Sequence, residues 1–268
     1  MVPIEKYRPI TAAPFRRNVS YCEIPPCAAL RPYIRCFWGT DGAPGGAGDN
    51  SLVIPDTCMD IIFFGQGDTP CFCGMDERSS VSGDLTAFGS VFGIRFYGWT
   101  AILFSDPDLS RTKNRALPAE EYFGKPIREL CGRILDVPTL RERAALAERT
   151  LLGMLKPDRE NADFMNAVFY ILETSGRTKI SELSRYTAVS EKTLERLFRS
   201  RAGLSPKSFS SLLRYQLLWR EVLLSPDFDV FDSVEKFGYT DQAHLLNDFK
   251  KRHGMTPREA RSFALNNR

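Results

Sequence analysis

One helical unit is written twice between Thr178 and Phe263, and few folds accommodate such a duplication. Shifted by 51 residues, Ser190, Leu194, Phe198, Gly203, Ser205 and Pro206 fall on Asp241, Leu245, Phe249, Gly254, Thr256 and Pro257. A period of this size marks duplicated supersecondary units. Each copy opens on a short polar residue able to cap a helix, Ser190 or Asp241. An apolar stripe follows, Leu194, Leu197 and Phe198 in the first copy and Leu245 and Phe249 in the second. Then comes a glycine where a helix stops and a proline where the next starts. Shorter helices are expected ahead of each copy, at Ile180 to Tyr186 and at Val234 to Phe237, each followed by a tight turn. Helix, turn and helix with a polar outer face is the plan that places its second helix in the major groove of DNA.

These residues carry a resemblance. S-x-x-x-L-x-R-x-F with G-x-S-P (Ser190, Leu194, Arg196, Phe198, Gly203, Ser205, Pro206), then H-x-x-x-x-F with G-x-T-P (His244, Phe249, Gly254, Thr256, Pro257), is similar to the C-terminal part of AraC/XylS-type bacterial transcription regulators. The resemblance covers roughly the last 90 to 100 residues. It implies two helix-turn-helix units joined by a long helix, with Ile180, Leu183, Leu194, Phe198, Phe237, Tyr239, Leu245 and Phe249 in the core. The chain departs from the pattern at Asn247, where the counterpart of Arg196 is not a cation.

Net charge is only +3, but its distribution is uneven. Residues 177–221 hold ten Lys or Arg against four Asp or Glu; residues 222–249 hold one against six, and residues 250–268 hold six against one. Basic character thus collects on the first unit and the final segment, as phosphate contacts require. On a helix after Ser190, the outward arc carries Lys192, Thr193, Glu195, Arg196 and Arg199. Arg196 is suited to guanine and Glu195 to a cytosine amino group, while Lys192 and Arg199 suit base edges or phosphates. Pairing of Glu195 with Arg199 four residues on is the structural alternative. In the second copy Gln242 suits adenine, and Ala243 and Leu246 suit a thymine methyl. His244 serves equally as a structural or phosphate ligand, Asn247 shares its outer face, and Lys250, Lys251 and Arg252 are expected on phosphates, as is Arg201 in the first copy.

All seven cysteines lie between Cys22 and Cys131, and both histidines, His244 and His253, lie in the second copy. The N-terminal half therefore supplies no Ser-His-Asp triad, Cys-His pair or histidine-ligated metal centre, and no catalytic residue, metal ligand or cofactor is assigned. No apolar run reaches the ~18 residues of a membrane span. The opening M-V-P-I-E-K-Y-R-P lacks the apolar core of a secretion signal, so a cytoplasmic location away from membranes is expected.

Up to residue 35 repeated prolines predict an extended lead-in. Strands are expected at Tyr33–Gly39, Leu52–Ile54, Met59–Phe64, Cys71–Gly74 and Phe88–Tyr97, with a glycine-rich hairpin loop at Asp41–Ser51 and turns at Pro55-Asp56 and Gly65–Pro70. Short strands at near-regular spacing predict a small antiparallel barrel or sandwich. I-P-D-T-C-M-D-I-I-F and F-G-I-R-F-Y-G resemble the N-terminal half of a subgroup of the same regulators, and in other subgroups that half is a cupin-like barrel that binds an effector. The fold class read here is thus α+β: an N-terminal β-barrel with helices, then an all-α tandem helix-turn-helix domain. Asp60 and Arg95, each inside an apolar strand, require partners. They form either a buried structural pair or, with Trp38, Phe63, Phe96 and Trp99, an effector pocket.

Short helices are expected over Pro118–Leu135. Leu140, Ala144, Ala147, Leu151 and Met154 make Thr139–Leu155 an amphipathic helix, able to pack on the barrel or on a second subunit. The division expected is 1–135 sensor, 136–160 dimerisation helix and linker, and 161–268 DNA-binding half. The partners implied are double-stranded DNA, a small-molecule effector, a second copy of the chain and, for an activator, RNA polymerase. A cysteine-based redox or metal sensor remains open. A DNA-repair methyl-transfer protein with the same DNA-binding half is the more distant reading, since the cysteine spacings include no C-x2-C.

Overall fold

The structure is a computed structural model that describes residues 7, 9–10, 21–40, 52–65, 69–81 and 90–266. The glycine-rich loop expected at Asp41–Ser51, most of the first twenty residues (with them most of the segment read for a secretion signal) and the middle of the Gly65–Pro70 turn lie outside the described residues.

β-Branched and aromatic runs form the strands where period-two alternation lets one face pack. In chain order they are β1 Tyr21–Ile24, β2 Ile34–Thr40, β3 Leu52–Val53, β4 Cys58–Phe64, β5 Cys71–Cys73, β6 Ser80–Val81, β7 Val91–Tyr97 and β8 Ala116–Pro118. Six of them make an antiparallel sheet in the order β1-β2-β7-β4-β5-β8, and β3 pairs with β6 separately. Among the described residues the edge strands β1 and β8 do not pair with each other, so the sheet is open where a closed barrel was expected. Both edges are short, and Pro118 suits an edge because it has no N–H to donate. β1, β6 and β8 were not foreseen; four residues or fewer among polar and proline-rich neighbours leave no readable alternation.

One row across the sheet, Phe37, Ile94, Ile61 and Phe72, is fully buried on a single face, with Phe63, Phe92 and Phe96 beside it. Two helices cover that face. α1, Glu120–Ile134, bends at Gly124 (φ +64°) ahead of Pro126, stacks Phe123 on Phe96 and sets it edge-on to Phe72. α2, Leu140–Met154, begins at a capping box between Thr139 and Glu142. Its stripe of Leu140, Ala144, Ala147, Leu151 and Met154 is buried within the chain, and Arg143 ties it to β7 by donating to Ser90 Oγ (2.5 Å). Sequence left this stripe two destinations, and the structure takes the one inside the protomer.

The end of the expected 136–160 connection is short and pinned. Lys156 donates its N–H to the Leu103 carbonyl and pairs with Asp106. The helical half then runs α3 Ala162–Glu173, α4 Ile180–Thr187, α5 Glu191–Ala202, α6 Pro206–Leu224, α7 Val230–Lys236, α8 Gln242–His253 and α9 Pro257–Asn266. α7 starts four residues earlier than expected because Asp229 caps it, accepting from Phe231 and Asp232 N–H. α6 is the rod, buried or half-buried along most of its length, with Phe209, Leu212, Leu213, Tyr215, Leu218 and Trp219 fully buried. The two halves share one apolar core: Trp99 meets Phe209 edge-on at 6.0 Å, and Gln216 on α6 donates to the Pro55 carbonyl (2.6 Å). Among the described residues no helix is long and apolar enough to cross a membrane.

Candidate nucleic-acid interface

α5 and α8 are built alike. Ser190 Oγ accepts from Thr193 N–H (3.2 Å) and Asp241 Oδ1 from His244 N–H (2.7 Å), fixing where each helix begins. Leu194, Phe198, Leu245 and Phe249 are fully buried inward. Each helix ends at a glycine in the left-handed region, Gly203 (φ +71°) and Gly254 (φ +82°), where a side chain would be strained. Fixed start, buried stripe and fixed stop leave one face of each helix outward.

On α5 that face presents Lys192, Arg196 and Arg199 exposed, with Thr193 and Glu195 half-buried. Glu195 is taken up by Arg199, which donates from Nε (2.8 Å) and Nη2 (2.7 Å). Exposed, this pair is weak and exchangeable for a nucleic-acid contact. Ser190 and Thr193 act in the cap, with their hydroxyls 2.9 Å apart. On α8, Ala243, His244, Asn247, Lys250 and Lys251 are exposed and Gln242 is half-buried. Leu246 is half-buried and packs partly on the core, which reduces what it offers a thymine methyl. His244 is held locally: its Nδ1 lies 3.4 Å from the Thr240 N–H that donates to it, and its ring sits edge-on to Tyr239.

Two cations expected on phosphates lie elsewhere. Arg252 is buried, donating to Asp248 (3.3 Å), Ser211 (3.0 Å) and the Glu77 carbonyl (3.5 Å). Arg201 donates to the Arg159 carbonyl (2.7 Å), and burial, helped by the Arg159 charge, lowers its pKa. Both are the next-to-last residue of their helix, on the side facing the N-terminal half. A basic run read from sequence does not distinguish that side from the outward one.

Of the six residues read as an effector pocket, Asp60, Arg95 and Trp38 come together, and Phe63, Phe96 and Trp99 lie apart from them. Arg95 donates to Asp60 from Nε (3.0 Å) and Nη2 (2.9 Å), and Trp38 Nε1 donates to the same carboxylate (2.8 Å). Phe96 is adjacent in a strand and therefore on the opposite face, packed on Phe104 and Phe123. Phe63 points the same way as Phe96, and Trp99 packs toward Tyr7, Tyr97 and α6. Asp56, read only as a turn residue, completes the ion cluster at 3.5 Å from Arg95 Nη1. Its spacing of four from Asp60 was the available signal. Burial raises the pKa of Asp56, and the Arg95 charge opposes that rise. Cys71 and Cys73, neighbours on one face of β5, bring their sulfurs to 4.0 Å. Among the described residues no group of three or more acidic, thiol or imidazole side chains is placed to hold a metal ion.

Two capped helices presenting polar faces from a common rod define a tandem helix-turn-helix unit. Residues 183–262 match the family described as a helix-turn-helix domain, and residues 22–118 match a domain of unknown function (DUF6597). The HTH-type transcriptional regulator ExsA of Pseudomonas aeruginosa is 30% identical over 83 residues, which cover 31% of this chain and 30% of ExsA. The chain therefore spans less than a third of that relative's length. Its helical half is thus similar to the helix-turn-helix part of that transcriptional regulator. The C-terminal domain of AraT from Geobacillus stearothermophilus superposes with a TM-score of 0.36 at 22% identity, over 39% of this chain and 87% of that one. ToxT from Vibrio cholerae gives 0.42 at 8% identity, over 80% and 95%.

Proposed function

We propose that this chain is a sequence-specific, DNA-binding transcription regulator of the cytoplasm that reads two successive major-groove segments, one with α5 and one with α8. The single observation that carries this is the pair of equivalent helices, each capped by a side chain, closed by a left-handed glycine and exposing its polar face. Charge is unequal between them. Lys192, Arg196 and Arg199 give α5 most of the affinity, and α8 adds Gln242, Ala243 and Asn247 to base edges with Lys250 and Lys251 on phosphate. Residues 161–268 act as the DNA-reading half, residues 1–135 as a sensor whose state shifts with a small molecule, and 136–160 as the connection. Asp60, Arg95 and Trp38 satisfy one another, so in this reading they brace the sheet and do not grip the effector. A dimer, and a contact with RNA polymerase in an activator, would use surfaces other than the buried α2 stripe.

Selection of DNA sequences by the purified full-length protein tests the proposal. A motif with two half-elements about one helical turn apart is expected. Arg196→Ala should lose about 1–3 kcal/mol and relax one position, whereas Lys250→Ala should weaken all sequences alike and lower the salt slope by about one. Salt-sensitive binding with no recovered motif would refute it.

A second reading, a thiol-based sensor, is favoured by the Cys71–Cys73 pair. The hydrogen bond from Cys73 lowers the Cys71 pKa to about 7 despite partial burial, as a reactive thiol requires.

A further inference from the structure

Both recognition helices end against the N-terminal half, at corresponding places. The Leu109 N–H donates to the Ser200 carbonyl in the last turn of α5 (2.7 Å), and the Ser79 N–H donates to the Arg252 carbonyl in the last turn of α8 (2.6 Å). In the repeat, Ser200 corresponds to Lys251, one residue from Arg252. These carbonyls belong to the helix-end set that has no partner within the helix. The closing glycines meet the same segments. A Cβ on Gly203 would lie 2.6 Å from Thr112 Oγ1 and 3.0 Å from the Leu109 carbonyl, and one on Gly254 would lie 3.4 Å from Ser79 Oγ.

The two gripping segments are also tied to each other. Lys113 pairs with Glu77 at 2.5 Å, the Glu77 N–H donates to Asn114 Oδ1 (2.9 Å), and the Asn114 N–H donates to the Met75 carbonyl (3.1 Å). Segment 74–79 continues directly from β5 and segment 109–115 leads directly into β8, the strands that close one side of the sheet. α5, the α6 rod, α8 and these two segments thereby form a closed ring. A rod alone leaves the two helices joined on one side, whereas a ring holds their separation and tilt from both.

Resting on the two-groove reading above, we propose that segments 75–79 and 109–115 form a clamp that positions the two recognition helices relative to each other, so that the N-terminal sheet sets which half-site spacing the DNA-binding half accepts. The clamp leaves the outward faces of α5 and α8 free, so it acts on their geometry and not by covering them. It also gives the sheet a route to DNA: displacement of β5 against β8 is transmitted to both helix ends together.

The test is a variant that opens the clamp without touching either helix. Asn114 has φ +51°, so Asn114→Gly keeps the backbone while removing the acceptor for Glu77, and Lys113→Ala removes the ion pair. Hydrogen exchange of DNA-free full-length protein comes first. The double variant should exchange the Ser79, Leu109, Gly203 and Gly254 amides on the order of tenfold faster, with α6 unchanged. Binding to DNA carrying both half-elements at the selected spacing, and at that spacing plus one base pair, comes second. Wild type should prefer the former, and the variant should lose about five- to tenfold of that preference while binding a single half-element as wild type does. Ser79→Pro, which removes one donor, should shift both readouts the same way. Unchanged exchange at either helix end, or undiminished spacing preference, overturns the clamp. If wild type binds no DNA while exchange changes as expected, the DNA-reading proposal fails and the clamp, as a structural device, stands.

Discussion

Arg95→Met is the substitution whose consequence is best set by the structure. The guanidinium makes three hydrogen bonds to Asp60 and lies 3.5 Å from Asp56, and both aspartates are buried. Methionine fills much of the volume but leaves two carboxylates without their cation. Removing one partner of a buried pair costs about 3–5 kcal/mol. At about 2–4 °C per kcal/mol for a chain of this size class, that is a fall in Tm of roughly 6–20 °C. The loss carries a pH signature. Asp56 already has its pKa raised by burial, with Arg95 opposing the rise. Without Arg95 the folded state holds its proton more tightly than the unfolded chain, so stability falls as pH rises and the deficit shrinks on acidification. Urea unfolding of both proteins at pH 7 and pH 5, followed by tryptophan fluorescence, measures this directly. The triple variant Asp56→Asn, Asp60→Asn, Arg95→Met should recover at least half of the loss, because no uncompensated charge remains. A deficit under about 1 kcal/mol, one equal at the two pH values, or a triple variant no better than the single would refute the reasoning.

His253 is fully buried beside Phe249 and Tyr215, and desolvation lowers its pKa from 6.5 to about 4. The unfolded chain therefore binds the proton first; its contribution is complete above pH 6.5 and declines by up to about 3 kcal/mol as pH falls to 4, a slope that His253→Gln should flatten in urea unfolding. Cys71 should be alkylated by iodoacetamide at pH 7 ahead of Cys36 and Cys58, whose pKa values burial raises. Cys73→Ala should slow that reaction by about tenfold, and an unchanged rate would remove the support for a thiol sensor.

The helical half was legible because its signals are local. Ser190 and Asp241 as caps, Gly203 and Gly254 as stops, and the Leu194/Phe198 and Leu245/Phe249 stripes all act within one turn or two, so sequence alone located where α5 and α8 begin and end. In the sheet, alternation located β2, β4 and β7 and the partnership of Asp60 with Arg95, since a lone charge in an apolar strand demands a counter-charge. Strand period also determines that Phe96 and Arg95 face opposite ways, a constraint that grouping both in one pocket overlooks. What only the tertiary structure decided is non-local. Whether six short strands close, whether the α2 stripe meets its own sheet or another subunit, and which basic side chains turn inward depend on contacts between residues far apart in the chain. Arg252 shows why: beside Lys250 and Lys251 its type is indistinguishable, yet Ser211 and the Glu77 carbonyl, 41 and 175 residues away, draw it into the joint between the two halves.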